Sequence, residues 1–228
     1  MKNDKYVAVV TEAGNGLGHK FAKILLENGY EVVLAACGKS FELLSKDGED
    51  LHGYQLLKTD FSSEESLRVL EHTIRESYGK LDLLINNAEI VNGFGHKIDQ
   101  INIEDIKEVY EINFFSIIRT IQTLKPLLNQ SEEPRIINIT SSLGDINKMK
   151  DESFCYSGYS LTAYSTSKAA LSMFTHLQCK EFKPSKIKMY SFDPVNMKNC
   201  TYNSVAICDG IKDDRSEERR VGKECPLL

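Results

Sequence analysis

The stretch from Tyr6 to Gly29 does most to limit what this chain can become. Tyr6-Val7-Ala8-Val9-Val10-Thr11 is a short, apolar, β-branched run of the kind buried on both faces of a parallel sheet. A glycine-rich turn follows, Glu12-Ala13-Gly14-Asn15-Gly16-Leu17-Gly18. An amphipathic pattern then runs through Phe21, Ile24 and Leu25 and closes at Asn28-Gly29. Strand, turn and helix in that order put a helix N-terminus, with its unpaired N–H groups, where it could hold a pyrophosphate. The competing reading is a tight turn with no ligand.

The same alternation continues. Further strands are expected at Glu31–Ala36, Tyr54–Thr59, Leu81–Ile85, Arg135–Thr140 and Ile187–Phe192. Between them, a helix is predicted to start at Ser62 or Ser63 and run through Leu67, Leu70 and Ile74 to Gly79. A single long helix is expected over Ile103–Leu128, with Asn113 inside it and Pro126 near its end. Strands alternating with helices at this spacing predict an α/β fold, a Rossmann-type doubly wound parallel β-sheet flanked by helices. There is no internal repeat and no boundary within residues 1–214, which read as one domain.

Tyr164 and Lys168 stand four residues apart in a segment with few helix breakers, so their side chains share one helix face. An ammonium beside a phenol favours the phenolate, so the tyrosine pKa is expected to fall towards working pH. That makes a general acid/base. On spacing alone, a surface helix with a satisfied pair competes with it.

Composition closes off other classes. The formal net charge is −5 and no basic stripe occurs, which argues against nucleic acid as a partner. No apolar run approaches membrane-span length and no signal-peptide core follows Met1, so a cytoplasmic, non-membrane protein is expected. Six cysteines without metal-type spacing fit free thiols, and five scattered histidines predict no metal site.

The ordered set now resembles the short-chain dehydrogenase/reductase family over residues 6–199. The set comprises the Thr11–Gly18 turn, Asp60, Asn86-Asn87-Ala88, Asn113, Ser141, Tyr164 with Lys168, and Asp193-Pro194. Glu111-Ile112-Asn113-Phe114-Phe115, Thr140-Ser141-Ser142-Leu143-Gly144 and the long gap from Ser141 to Tyr164 are most similar to its carbonyl-reductase-like branch. The resemblance implies an NAD(P)-dependent oxidoreductase that moves a hydride between a nicotinamide and a carbonyl or alcohol. Tyr164 would exchange the proton, Lys168 would tune it and bind the nicotinamide ribose, Ser141 (with Ser142 as fallback) would hold the substrate oxygen, and Asn113 would hold a relay water. Cofactor contacts would come from Thr11, Gly14, Asn15, Gly16, Leu17, Gly18, Cys37, Asp60, Phe61, Asn87, Ala88, Tyr164, Lys168 and Pro194. NADP or NAD is implied, NADPH slightly favoured, with a small-molecule substrate and a monomer or homodimer. Substrate choice would rest with the polar stretch Asp145–Ser160 and the segment after Pro194.

Four positions depart from the family pattern. Glu12 stands where a glycine follows the threonine, and Glu89 where Asn-Asn-Ala is followed by glycine, placing a second carboxylate near the adenosine side. Val195 and Asn199 replace a glycine and a threonine. Residues 215–228 carry dense charge, no core pattern, and codons that can spell a common sequencing adapter, so they read as a non-native tail. A last strand is expected to be missing as a result. These departures leave open a second reading, a non-catalytic binding or regulatory relative or a decaying gene product.

Overall fold

The computed structural model describes residues 5–14, 16–46 and 53–194. Asn15, Val195, Asn199 and the tail from Arg215 lie outside the described residues, as does any strand beyond Phe192. Six strands form one parallel sheet: β1 (Val7–Thr11), β2 (Glu31–Ala36), β3 (Tyr54–Lys58), β4 (Leu83–Asn86), β5 (Arg135–Ile139) and β6 (Lys188–Phe192). Their order is β3-β2-β1-β4-β5-β6, so the chain reverses direction across the sheet between β1 and β4. Ligands in such sheets bind outside the carboxyl ends of the strands at that switch point.

The helices are α1 (Gly16–Glu27), α2 (Gly38–Lys46), α3 (Glu64–Tyr78), α4 (Ile103–Tyr110), α5 (Ser116–Leu128), α6 (Ile146–Lys150) and α7 (Thr162–Glu181). Strand alternation sorts the core into two layers. Val7, Val9, Val33, Leu84 and Ile136 face one way and pack on Leu70 and Ile74 of α3, Ile121 and Leu124 of α5 and Leu171 of α7. Ala8, Val10, Val32, Leu34 and Ile85 face the other and pack on Phe21 and Leu25 of α1 and Leu44 of α2. Ser63 caps α3 by accepting from the Ser66 N–H, and Gly79 ends it in the left-handed region at φ 73°.

Three expectations are corrected. The long helix is not uniform: a π turn over Glu111–Phe115 separates α4 from α5, and Asn113 sits in it, fully buried. Such wide turns re-aim a side chain without ending the helix. The fourth strand runs over Leu83–Asn86 rather than from Leu81, and Asp82 just before it is a buried staple. Its carboxylate accepts from the Val7 N–H at 2.8 Å and the Ser131 hydroxyl at 2.6 Å, and pairs with Lys80 at 3.0 Å. Two helices carry no assignment in the sequence reading, α2 and α6. Each is short, and α6 lies within the stretch read only as polar.

Candidate active site

The tyrosine and lysine are on the core face of α7. Its buried positions Tyr164, Ser167, Lys168, Leu171 and Thr175 follow helical spacing, so the stripe turned to the sheet is polar at its N-terminal half. Tyr164 is 8% and Lys168 1% exposed, which rules out the solvated surface pair. Such burial demands partners. The Lys168 Nζ donates to the Ile139 carbonyl at the end of β5 at 2.8 Å and lies 2.7 Å from Glu89 Oε2. It stands 5.5 Å from the Tyr164 ring centroid.

Ser141 arrives from the β5 end, at the start of a 3₁₀ turn over Ser142–Gly144. That turn lies against α7 because residue 144 has no side chain. A Cβ there would come within 2.6 Å of the Ala169 nitrogen and 2.7 Å of the Lys168 carbonyl carbon. The close approach sets Ser141 on the Tyr164 side of the turn, where its hydroxyl accepts from the Leu143 N–H at 3.2 Å and acts to lower the phenol's pKa. Ser142 is engaged elsewhere: it accepts from Lys148 at 2.6 Å and bonds the Asp193 carboxylate, itself 3.4 Å from Lys148. This clamp ties α6 to the residue after β6. No local pattern in the sequence announces it, since its members come from three separate segments.

Asn113 is held from both sides. Its amide accepts from the Ile90 N–H at 2.8 Å, donates to the Ile90 carbonyl at 3.0 Å and reaches the Ser167 hydroxyl at 3.2 Å. Both amide atoms thus brace the β4–α4 loop against α7, and that loop carries Glu89.

Glu89 lies on the tyrosine side, not beside the adenosine region as the sequence reading placed it. The Tyr164 hydroxyl donates to Glu89 Oε2 at 3.1 Å. The expected fall in the tyrosine pKa is therefore overturned. Burial and then the Glu89 charge push it above the usual phenol range, while the Ser141 hydrogen bond pulls the other way. Burial lowers the Lys168 pKa, opposed by Glu89.

At the same carboxyl end of the sheet, beside β1, Thr11 Oγ1 accepts from the N–H groups of Asn87 and Ala88 at 2.9 and 3.0 Å. The Asn87 amide donates to the carbonyls of Thr11 and Glu12, each at 3.0 Å. These residues buckle β4 to the glycine turn. Gly18 allows the contact, as a Cβ would meet the Asn87 amide at 2.5 Å. Gly16 has φ 58° and opens onto empty space, beside Leu17 in the first turn of α1. Gly14 instead packs against Ser40 of α2.

Glu12 has φ 53°, the left-handed region that costs a side-chain-bearing residue about 1–2 kcal/mol. Its carboxylate is held by the Cys37 N–H at 2.9 Å, at the end of β2. Burial first, then Glu12, pushes the Cys37 thiol up to about 12. Cys37, Gly38, Lys58, Asp60 and Ser66 line an open cavity of about 480 Å³. Asp60 is held below the usual carboxylate range by hydrogen bonds from Ser62. Phe61, expected at the cofactor, has its side chain in the core instead. Pro194 follows Asp193 beyond β6. Among the described residues no cluster could hold a metal ion, and no helix is long and apolar enough to cross a membrane.

A family model described as short chain dehydrogenase matches residues 6–206. The chain is 31% identical over 195 residues to a rhamnolipids biosynthesis 3-oxoacyl-[acyl-carrier-protein] reductase from Pseudomonas aeruginosa, covering 82% of this chain and 71% of that one. It is 28% identical over 234 residues to short-chain dehydrogenase/reductase 1 of Saponaria officinalis, covering 78% of each. Among solved structures it superposes on NADPH-bound carbonyl reductase from chicken fatty liver with a TM-score of 0.73 at 25% identity, covering 85% of this chain and 80% of that one. Strand order, the buckled glycine turn and the buried Tyr–Lys stripe agree with this match, and the chain belongs to the short-chain dehydrogenase family.

Proposed function

We propose that the protein is an NAD(P)-dependent oxidoreductase that reduces a carbonyl, or oxidises the matching alcohol, with Tyr164 as the proton-exchanging residue. The observation that carries this reading is the cluster at the carboxyl ends of β4 and β5. A buried phenol there shares its surroundings with a buried ammonium and a strand-end hydroxyl. The cofactor residues fit such a group. Gly16, open to space at the head of α1, leaves room for a pyrophosphate against backbone N–H groups, and the cavity at Cys37, Lys58 and Asp60 suits the adenosine end. When bound, the cofactor supplies the hydride donor or acceptor.

The chain's own residues handle the proton. In reduction the Tyr164 hydroxyl gives its proton to the carbonyl oxygen, and Ser141 donates to the same oxygen as charge develops there. Lys168, fixed by the Ile139 carbonyl, would orient a ribose hydroxyl. Asn113 acts as a positioning residue, because its amide fixes the Ile90 backbone next to Glu89. The relatives named above include an NADPH-bound carbonyl reductase and a 3-oxoacyl reductase, and both names fit a carbonyl substrate.

The test is reduction itself. Purified protein with NADPH or NADH and a panel of ketones and aldehydes should consume the reduced nicotinamide and yield the alcohol in equal amount. Consumption without alcohol, or no consumption with either cofactor, would remove the assignment and favour a non-catalytic relative.

Glu12 sets a second expectation. Its carboxylate sits at the end of β2, where a 2′-phosphate would approach. Replacing Glu12 with glycine removes both the charge and the φ 53° strain. The dissociation constant for NADPH should fall by about tenfold, equivalent to about 1.4 kcal/mol, and that for NADH by much less. Equal effects on the two cofactors in a fluorescence titration would show that Glu12 does not face the 2′-position.

A further inference from the structure

We infer that Glu89 is a positioning residue of this site, whose carboxylate, shared between Lys168 and Tyr164, keeps the tyrosine loaded with its proton. The inference rests on the reading of Tyr164 as proton donor and adds a residue that the family pattern fills with glycine.

Geometry carries it. One carboxylate oxygen, Glu89 Oε2, is 2.7 Å from the Lys168 Nζ and 3.1 Å from the Tyr164 hydroxyl. The Glu89 side chain is 39% exposed and Lys168 1%, so the buried ammonium meets its counter-ion at the mouth of the site. An ammonium beside a phenol promotes ionisation only while its charge is uncompensated. Here it is compensated at closer range than the phenol itself.

The groups facing the hydroxyl come from several elements. Lys168 lies on the same helix, Glu89 on the β4–α4 loop and Ser141 after β5. Asp193, after β6, adds a second negative charge, partly balanced by Lys148 of α6 at 3.4 Å. Glu89 is the anion in direct contact, and its effect on the phenol has the direction that burial also takes, upward.

The proton balance follows. The bound cofactor would supply the hydride, one proton with two electrons, that the carbonyl carbon takes up in reduction. The carbonyl oxygen takes the proton of Tyr164, and the phenolate regains one from solvent. The reactive form is the phenol, so activity falls as pH rises through the tyrosine pKa. With Glu89 present that fall is displaced to higher pH. Without its charge the fall comes earlier.

Glu89→Gln tests this, since it removes the charge and keeps the shape. Tyrosinate absorbance of the free protein, taken as the difference from the Tyr164→Phe protein, should show Tyr164 ionising at least about one pH unit lower in Glu89→Gln than in the parent. Glu89→Asp should stay within about half a unit of the parent. The alkaline limb of kcat/KM for carbonyl reduction should shift down with the absorbance. If Glu89→Gln does not fold, Glu89→Gly, the residue the family places there, gives the same comparison. An unchanged tyrosinate midpoint in a folded variant overturns the inference even when the enzyme reduces carbonyls. A shifted midpoint in a protein that reduces nothing upholds the inference and removes the catalytic reading instead.

Discussion

Tyr164→Phe is expected to lower kcat by about a thousandfold, within the span that a positioned general acid contributes. The phenyl ring keeps the packing of a residue that is 8% exposed, and the Lys168–Glu89 pair keeps its 2.7 Å contact. Cofactor affinity should therefore change by less than about twofold, and the melting temperature by only a few degrees at most. Loss confined to kcat is the signature of an interaction made only in the transition state. A variant that turns over at the parental rate would remove Tyr164 from its role. A variant that loses cofactor binding as well would point to a structural part for the hydroxyl.

Gly144→Ala is expected to be nearly as damaging, for a different reason. The added Cβ would lie 2.6 to 2.9 Å from the Ala169 nitrogen and from the carbonyl carbon and Cβ of Lys168. Those neighbours are main chain or the first side-chain carbon of a buried helix, so no flexible side chain can give way. The 3₁₀ turn must retreat from α7, taking Ser141 away from Tyr164. Overpacking of this kind costs about 1–3 kcal/mol. A displacement near 1 Å at a catalytic group costs roughly a hundredfold in rate. Thermal melting should show the first effect and kcat the second. Parental kcat would mean that the turn does not position Ser141.

Much of this was legible in the sequence because local pattern carried it. Buried parallel strands read as continuous apolar runs, and five of the six are found within a residue or so of the expected bounds. Ser63 and Gly79 mark the ends of α3 by their own chemistry. The pairing of Tyr164 with Lys168 follows from helical spacing once the buried face is known. What the sequence did not display are contacts made across the sheet. Asp82 reads as a strand residue until its bonds to Val7 and Ser131 are seen. The π turn at Asn113 has no local signature, as its residues suit an ordinary helix. Glu89 illustrates the limit best. Its departure from the family pattern was visible, but its direction was not, because the neighbours that fix it come from a helix more than seventy residues later. Burial of Tyr164 first, and then the Glu89 charge, reversed the expected direction of the tyrosine pKa.

The most direct test of the account is a titration of the purified full chain with NADPH and with NADH, followed by nicotinamide fluorescence. The account predicts saturable binding of at least one of the two, tightened for NADPH by Glu12→Gly and retained in Tyr164→Phe. A folded protein that shows no saturation with either nucleotide, before and after Glu12→Gly, would contradict it.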